Sequence, residues 1–207
     1  MISYRFLFVL ACELTFLTGR YYLLTDEKTV WLKLLPVTPL CLFLAYRRNY
    51  LHLLEFIFYL FGDYFIFFVY NLSMEKECFI FGMIAFLLGH LIAIYSLNFS
   101  ILEKWPLWFA VIWFITGILI GFILSTITDR SLSSVINAYI FVIAVRLTLT
   151  ILLDPTDSLS IIFFCLSDLI ILSDLFHFHG SNVIVSHSIL ILYWISLILR
   201  ALYLGID

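Results

Sequence analysis

The chain has 207 residues, 64% of them hydrophobic and only 12% charged, with a formal net charge of −3. A soluble domain of this size cannot hide so much apolar surface, whereas lipid covers it from outside, so a soluble enzyme is excluded and a membrane protein is expected. The few charges form no basic face, which leaves nothing for nucleic acid to bind.

Polar breaks divide the sequence into eight apolar segments: 2–24, 29–46, 51–70, 77–98, 106–125, 134–153, 158–178 and 183–204. Each is close to the ~20 residues that a bilayer requires. The expected fold is therefore all-α, a polytopic transmembrane bundle of about eight helices forming a single integral domain over 1–207. The start, "MISYRFLFVLAC", reads as an uncleaved first helix, because its apolar stretch continues past Cys12 and is too short before it for a signal peptide. Breaks as short as "TDEK", "RRN" and "HGSN" make neighbouring helices antiparallel. With an even count both ends share a side, and Arg5, Arg47, Arg48, Lys104 and Arg200 fall there. Arg20, Lys28, Lys76 and Arg130 fall opposite, so the positive-inside bias places both ends in the cytoplasm, with a bacterial inner membrane as the expected location. Tyr21, Tyr22, Tyr46, Tyr50, Trp105 and Trp108 stand near segment ends, where an aromatic belt belongs. Cys12, Cys41, Cys78 and Cys165 are scattered, with neither disulfide nor metal-ligand spacing.

Some charges are not explained by lipid. In "FFCLSDLIILSDLF" (163–176), Asp168 and Asp174 interrupt an apolar run. Two central aspartates cost roughly 5–7 kcal/mol on an insertion scale, against roughly 4–8 kcal/mol gained from the Leu, Ile and Phe of segment 158–178. That helix is near break-even alone and depends on its neighbours to shelter the carboxylates. Asp63, His90 and Arg146 likewise fall two or three residues from their segment centres, within roughly 4 Å of mid-depth at 1.5 Å per residue. Asp168 falls on the centre of its segment, so four ionisable groups at one depth point to a shared buried cavity. Tyr139, Arg146 and Thr150 share one face of segment six, Tyr59 and Asp63 are one turn apart in segment three, and Gly62 permits close helix approach. Lys33 and Glu55, nearer segment ends, are expected to snorkel, with Glu13 doing likewise or pairing with a neighbouring helix.

Lys33 followed by Pro36, "FGD" at 61–63, "FGMIAFLLGH" at 81–90 with Tyr95, then Tyr139 and "SD" at 167–168, together resemble the YhhN family. That family comprises small eight-helix membrane proteins that include lysoplasmalogenases, and the resemblance runs from residue 33 to about 194. It implies hydrolysis of the vinyl ether bond of a lysophospholipid, with no cofactor and no metal. Such a reaction needs a carboxylic acid to protonate the β-carbon and an ionised carboxylate to stabilise the oxocarbenium ion and activate water. Asp63 and Asp168 would take these roles, with His90 orienting water or shuttling a proton. Lys33, Tyr139 and Arg146 would bind the phosphate or fix a carboxylate's charge, Ser167 would hydrogen-bond the carboxylate or a substrate oxygen, and Asp174 would tune the cavity charge. The chain departs from the family at Asp174, where the family pattern places no acid, and in its last helix, where "YWISL" at 193–197 offers Tyr193 and Trp194 but no amide.

Two other readings stand beside this one. His177, His179 and His187 flank one short loop and would serve a metal-dependent lipid hydrolase. Alternatively, the mid-depth charges would belong to a transporter or lipid-binding protein.

Overall fold

The computed structural model describes residues 37–71, 75–97, 114, 117, 130–173 and 183–204, of which 67–71, 75–76, 172–173 and 183–187 are described by their backbone alone. Among these residues the chain is all-α with no strand, in six helices: α1 (Val37–Tyr46), α2 (Tyr50–Asn71), α3 (Glu75–Tyr95), α4 (Arg130–Leu153), α5 (Ser158–Ser173) and α6 (Val183–Leu204). These fall on six of the eight apolar segments, while segments 2–24 and 106–125 lie outside the described helices. Among the described residues two stretches, Glu77–Tyr95 and Arg130–Leu153, are long and apolar enough to cross a membrane. The chain groups into two compact units, Met1–Ile92 and Ala93–Asp207, with the boundary inside α3.

In the first unit, α1 ends on a Schellman turn. The Asn49 amide donates to the Leu44 carbonyl and the Arg48 amide to that of Ala45, each at 3.0 Å. This closure requires a left-handed residue at Arg48, whose φ is 57°. The reversal lets α1 pack against α2 and bury Val37, Leu40 and Leu44.

α2 and α3 approach through glycines. A Cβ on Gly89 would lie 2.5 Å from the Tyr59 ring, one on Gly62 2.6 Å from Phe86, and one on Gly82 2.7 Å from Ile66. Residue numbers fall along α3 as they rise along α2, which is the antiparallel pairing the short break required. Close backbone approach takes the place of the hydrophobic effect between helices when lipid is the solvent.

In the second unit α4, α5 and α6 follow one another, α4 packing on α5 and α5 on α6. Asp157 immediately precedes α5, and its carbonyl accepts from the Ser160 amide at 3.0 Å and from the Ser160 hydroxyl at 2.9 Å. α5 and α6 are antiparallel: Asp157 reaches Arg200, the Phe164 ring meets Tyr193, and Ser167 reaches Ile189. Along α4 the buried residues Ser133, Ile136, Tyr139, Ile143, Arg146 and Thr150 recur at three- and four-residue steps, with Thr148 buried outside that spacing. The stripe of Tyr139, Arg146 and Thr150 read from the sequence is thus on the buried face.

Candidate functional site

The sequence-predicted residues divide between the units: Asp63 and His90 in the first, Tyr139, Arg146, Ser167, Asp168 and Tyr193 in the second. Lys33, Asp174, Glu13, His177 and His179, and the side chain of His187, lie outside the described residues.

The second unit holds a carboxylate between two helices. Tyr139, 3% exposed on α4, donates its hydroxyl to Oδ2 of Asp168 on α5 at 2.8 Å. Arg146 stands seven residues on from Tyr139, hence two turns further along the same face, and is also 3% exposed. Both Asp168 and Arg146 lie within electrostatic range of the Cys165 thiol, one turn before Asp168. Ser167 has a different use from the one expected: its hydroxyl donates to the Ile189 carbonyl at 2.9 Å and ties α5 to α6. A serine facing a neighbouring backbone carbonyl satisfies itself locally, so its donor is not directed to Asp168. Tyr193 is buried edge-on against Phe164, ring centroids 5.5 Å apart.

At the other end of the α5–α6 pair, Arg200 donates to Oδ2 of Asp157 at 2.6 Å, with side chains 4% and 1% exposed. The sequence reading treated Arg200 as an interfacial charge. Neutralised in a buried ion pair, it no longer counts toward orientation, and the positive residues then stand four against four, which removes the bias toward either side.

The first unit contains a polar network that the sequence reading missed. Glu55 was expected to snorkel; instead it is fully buried, at 0% exposure. Its Oε1 accepts from the Tyr59 hydroxyl at 3.0 Å, and its Oε2 pairs with Nδ1 of His52 at 2.9 Å. The Tyr59 hydroxyl also lies 3.4 Å from Nδ1 of His90 on α3, itself 0% exposed. With both oxygens engaged, the carboxylate has no need to reach water, which is the physical reason it stays inside. The signal was present in the sequence: residues 52, 55, 59 and 63 are spaced three, four and four apart, so His52, Glu55, Tyr59 and Asp63 share one face of α2. Asp63 is half-buried, one turn beyond Tyr59.

The observed bounds also revise the argument from common depth. α3 and α4 begin earlier than read, which leaves His90 and Arg146 roughly 7 Å from the mid-length of their helices, while Asp63 stays within roughly 4 Å of its own. The equal depths came from the segment boundaries chosen, not from the helices.

Among the described residues no three His, Cys, Asp or Glu side chains are placed to hold a metal ion. No curated protein and no solved structure matches the chain. The model of the YhhN family matches residues 28–203, which include the α2–α3 glycines, the Glu55 network and the Tyr139–Asp168 contact. The apolar composition and the two membrane-length helices agree with that match, and the chain belongs to the YhhN family.

Proposed function

We propose that this protein is an eight-span membrane hydrolase that cleaves the vinyl ether bond of lysoplasmalogens, releasing a fatty aldehyde and a glycerophospho-alcohol. Family membership supports the reaction class. The observation that carries the assignment to residues is the hydroxyl of Tyr139 held 2.8 Å from the Asp168 carboxyl, inside a helix otherwise built of Leu, Ile, Phe, Ser and one Cys. An intramembrane carboxylate is costly to insert and is retained where it has a use.

The chemistry runs in two stages. A carboxylic acid adds a proton to the β-carbon of the C=C–O unit, and the electron pair of the double bond forms the new C–H bond. The cation left behind is shared between the α-carbon and oxygen. Water then attacks the α-carbon while a carboxylate takes its proton, and the hemiacetal collapses to aldehyde and alcohol. In the collapse the first carboxyl recovers a proton from the hemiacetal hydroxyl and the second gives its proton to the departing alcohol oxygen, so one water is consumed and both groups are restored. Asp63 and Asp168 are the two carboxyl groups we assign to this work. Tyr139 orients Asp168, and Arg146 offsets its charge.

The test is mass spectrometry of aldehyde released from lysoplasmenyl-ethanolamine by the detergent-purified protein, with EDTA present. Wild type is expected to release aldehyde, and Asp63→Asn and Asp168→Asn to lose about 100-fold or more, the scale of positioned acid–base catalysis. Turnover within a few-fold of wild type in both variants would overturn the assignment. No aldehyde from a monodisperse wild-type protein would overturn the reaction itself, with vesicle uptake of lipid the next measurement.

A further inference from the structure

The turn between α1 and α2 takes no part in the chemistry above, yet it concentrates positive charge in a chain that is acidic overall. Arg47 and Arg48 are the one adjacent pair of basic residues in a sequence of net charge −3. Acids are absent around them: residues 29–54 contain no Asp or Glu, and neither does α3 from Cys78 to Ile92. Glu55 is the acid nearest in sequence, and it is engaged inside the unit, fully buried, with one oxygen on Tyr59 and the other on His52.

Arg48 is exposed, and its backbone is left-handed, with φ of 57°. Glycine makes the same closing turn without a Cβ clash. A strained residue that is not glycine points to a use for its side chain. The backbone of the turn offers an anion little, because the amides of Arg47, Arg48 and Asn49 already donate to the carbonyls of Phe43, Ala45 and Leu44, each at 3.0 Å. What meets a ligand here is the guanidinium, whose planar fork of donors matches two oxygens of a phosphate at once.

The residues on either side indicate the source of that phosphate. Tyr46 closes α1 and Tyr50 opens α2, and they are 82% and 67% exposed. A phenol joins an apolar ring to a polar end, so exposed tyrosines at two adjoining helix ends belong at the level of lipid head groups. Leu42 on α1, and Leu54 and Phe61 on α2, are exposed as well, which suits lipid tails against the helices that lead away from the turn. A cation between two such tyrosines stands where lipid phosphates stand, whereas a soluble anion gains nothing from the apolar rings.

We propose that the α1–α2 turn is a binding site for the head group of an anionic phospholipid, with Arg48 clamping the phosphate, Arg47 adding charge, and Tyr46 and Tyr50 flanking the lipid. The site is separate from the vinyl ether reading and does not depend on it. A zwitterionic lipid carries its own cation beside the phosphate, which offsets part of the attraction to arginine. An anionic lipid carries none, so it is preferred. The lipid contact also offsets the strain at Arg48, which the lipid-free protein in detergent bears unrelieved.

Two measurements test the site on the full chain in detergent. The first is native mass spectrometry of the protein titrated with phosphatidylglycerol, phosphatidylcholine or inorganic phosphate. Wild type is expected to bind phosphatidylglycerol about tenfold more tightly than phosphatidylcholine. Arg48→Gln keeps the left-handed backbone and removes the charge, and is expected to lose about fivefold, the scale of one basic residue against an acidic lipid. Arg48→Lys keeps the charge and loses the fork, so its affinity should fall between the two. Equal affinity for both lipids, or Arg48→Gln binding as wild type, would overturn the proposal. So would Arg48→Lys binding as wild type, which marks diffuse attraction, or displacement of the lipid by an equal concentration of inorganic phosphate, which marks a soluble ligand. The second measurement is thermal unfolding. Phosphatidylglycerol is expected to raise the Tm of wild type more than that of Arg48→Gly, although that variant is the more stable without lipid. Equal rises in the two proteins would remove Arg48 from the site and overturn the assignment.

Discussion

Tyr59 shows how much one residue can bear in a membrane helix. Its ring lies over Gly89, packs edge-on to Phe56 and tilted against Phe86, and its hydroxyl joins Glu55 to His90. Apolar packing sets the ring's position, and the ring in turn sets the geometry of the buried carboxylate. At the other extreme is Arg48, exposed and strained. Its left-handed backbone costs an L-residue about 1–2 kcal/mol, of which the greater chain entropy of glycine returns part on substitution. Arg48→Gly is therefore expected to stabilise the protein by ~0.5–1 kcal/mol, read as a small rise in Tm in detergent. No rise would mean that the Arg48 side chain makes a contact worth as much as the strain.

Pairs of helices decide more than single helices here. The α2–α3 contact depends on three glycines, and their replacement by alanine should not be equivalent. At Gly62 the three atoms nearest the added carbon all belong to the Phe86 ring, whereas at Gly89 it meets a Tyr59 ring already fixed by its hydroxyl and lies 3.2 Å from the Glu55 carbonyl oxygen. Gly89→Ala is expected to cost roughly 1–3 kcal/mol, more than Gly62→Ala, and to displace Tyr59 from its partners. Comparative thermal unfolding checks the order of the two. The α5–α6 contact is held at one end by Asp157 and Arg200. Removing one partner strands the other charge without water, so Arg200→Met should cost about 3–5 kcal/mol. Arg200→Met with Asp157→Asn should recover much of that loss, because no uncompensated charge remains. A double-mutant cycle on thermal stability measures the difference, and a double variant as unstable as Arg200→Met alone would refute it.

For the whole molecule, the reading of eight spans makes a topological prediction. In a chain cleared of its four native cysteines, Asn49→Cys and Thr156→Cys should react with an impermeant thiol reagent from one side of the membrane. Lys76→Cys and Ser181→Cys should react from the other. Labelling of Asn49→Cys and Lys76→Cys from the same side would exclude a full span between them. The test stands apart from charge counting, which the burial of Arg200 has left without a preferred side.

Apolar composition and break length were enough to establish an all-α membrane protein with antiparallel neighbours, because the cost of exposing backbone polar groups to lipid admits little else. Spacing alone was enough to put Tyr139, Arg146 and Thr150 on one face, since helical period is a local property. Partner choice is not local. That Glu55 stays inside follows from where His52 and Tyr59 direct their polar atoms, and Tyr59 is held there by Phe86 and Gly89 of another helix. That Ser167 bonds a backbone carbonyl, and that Arg200 pairs with Asp157 across 43 positions of sequence, follows from the register of α5 on α6. The sequence determined which groups had to be sheltered from lipid; only the packing of helix on helix decided which group shelters which, because that depends on distances of a few ångströms between residues far apart in the chain.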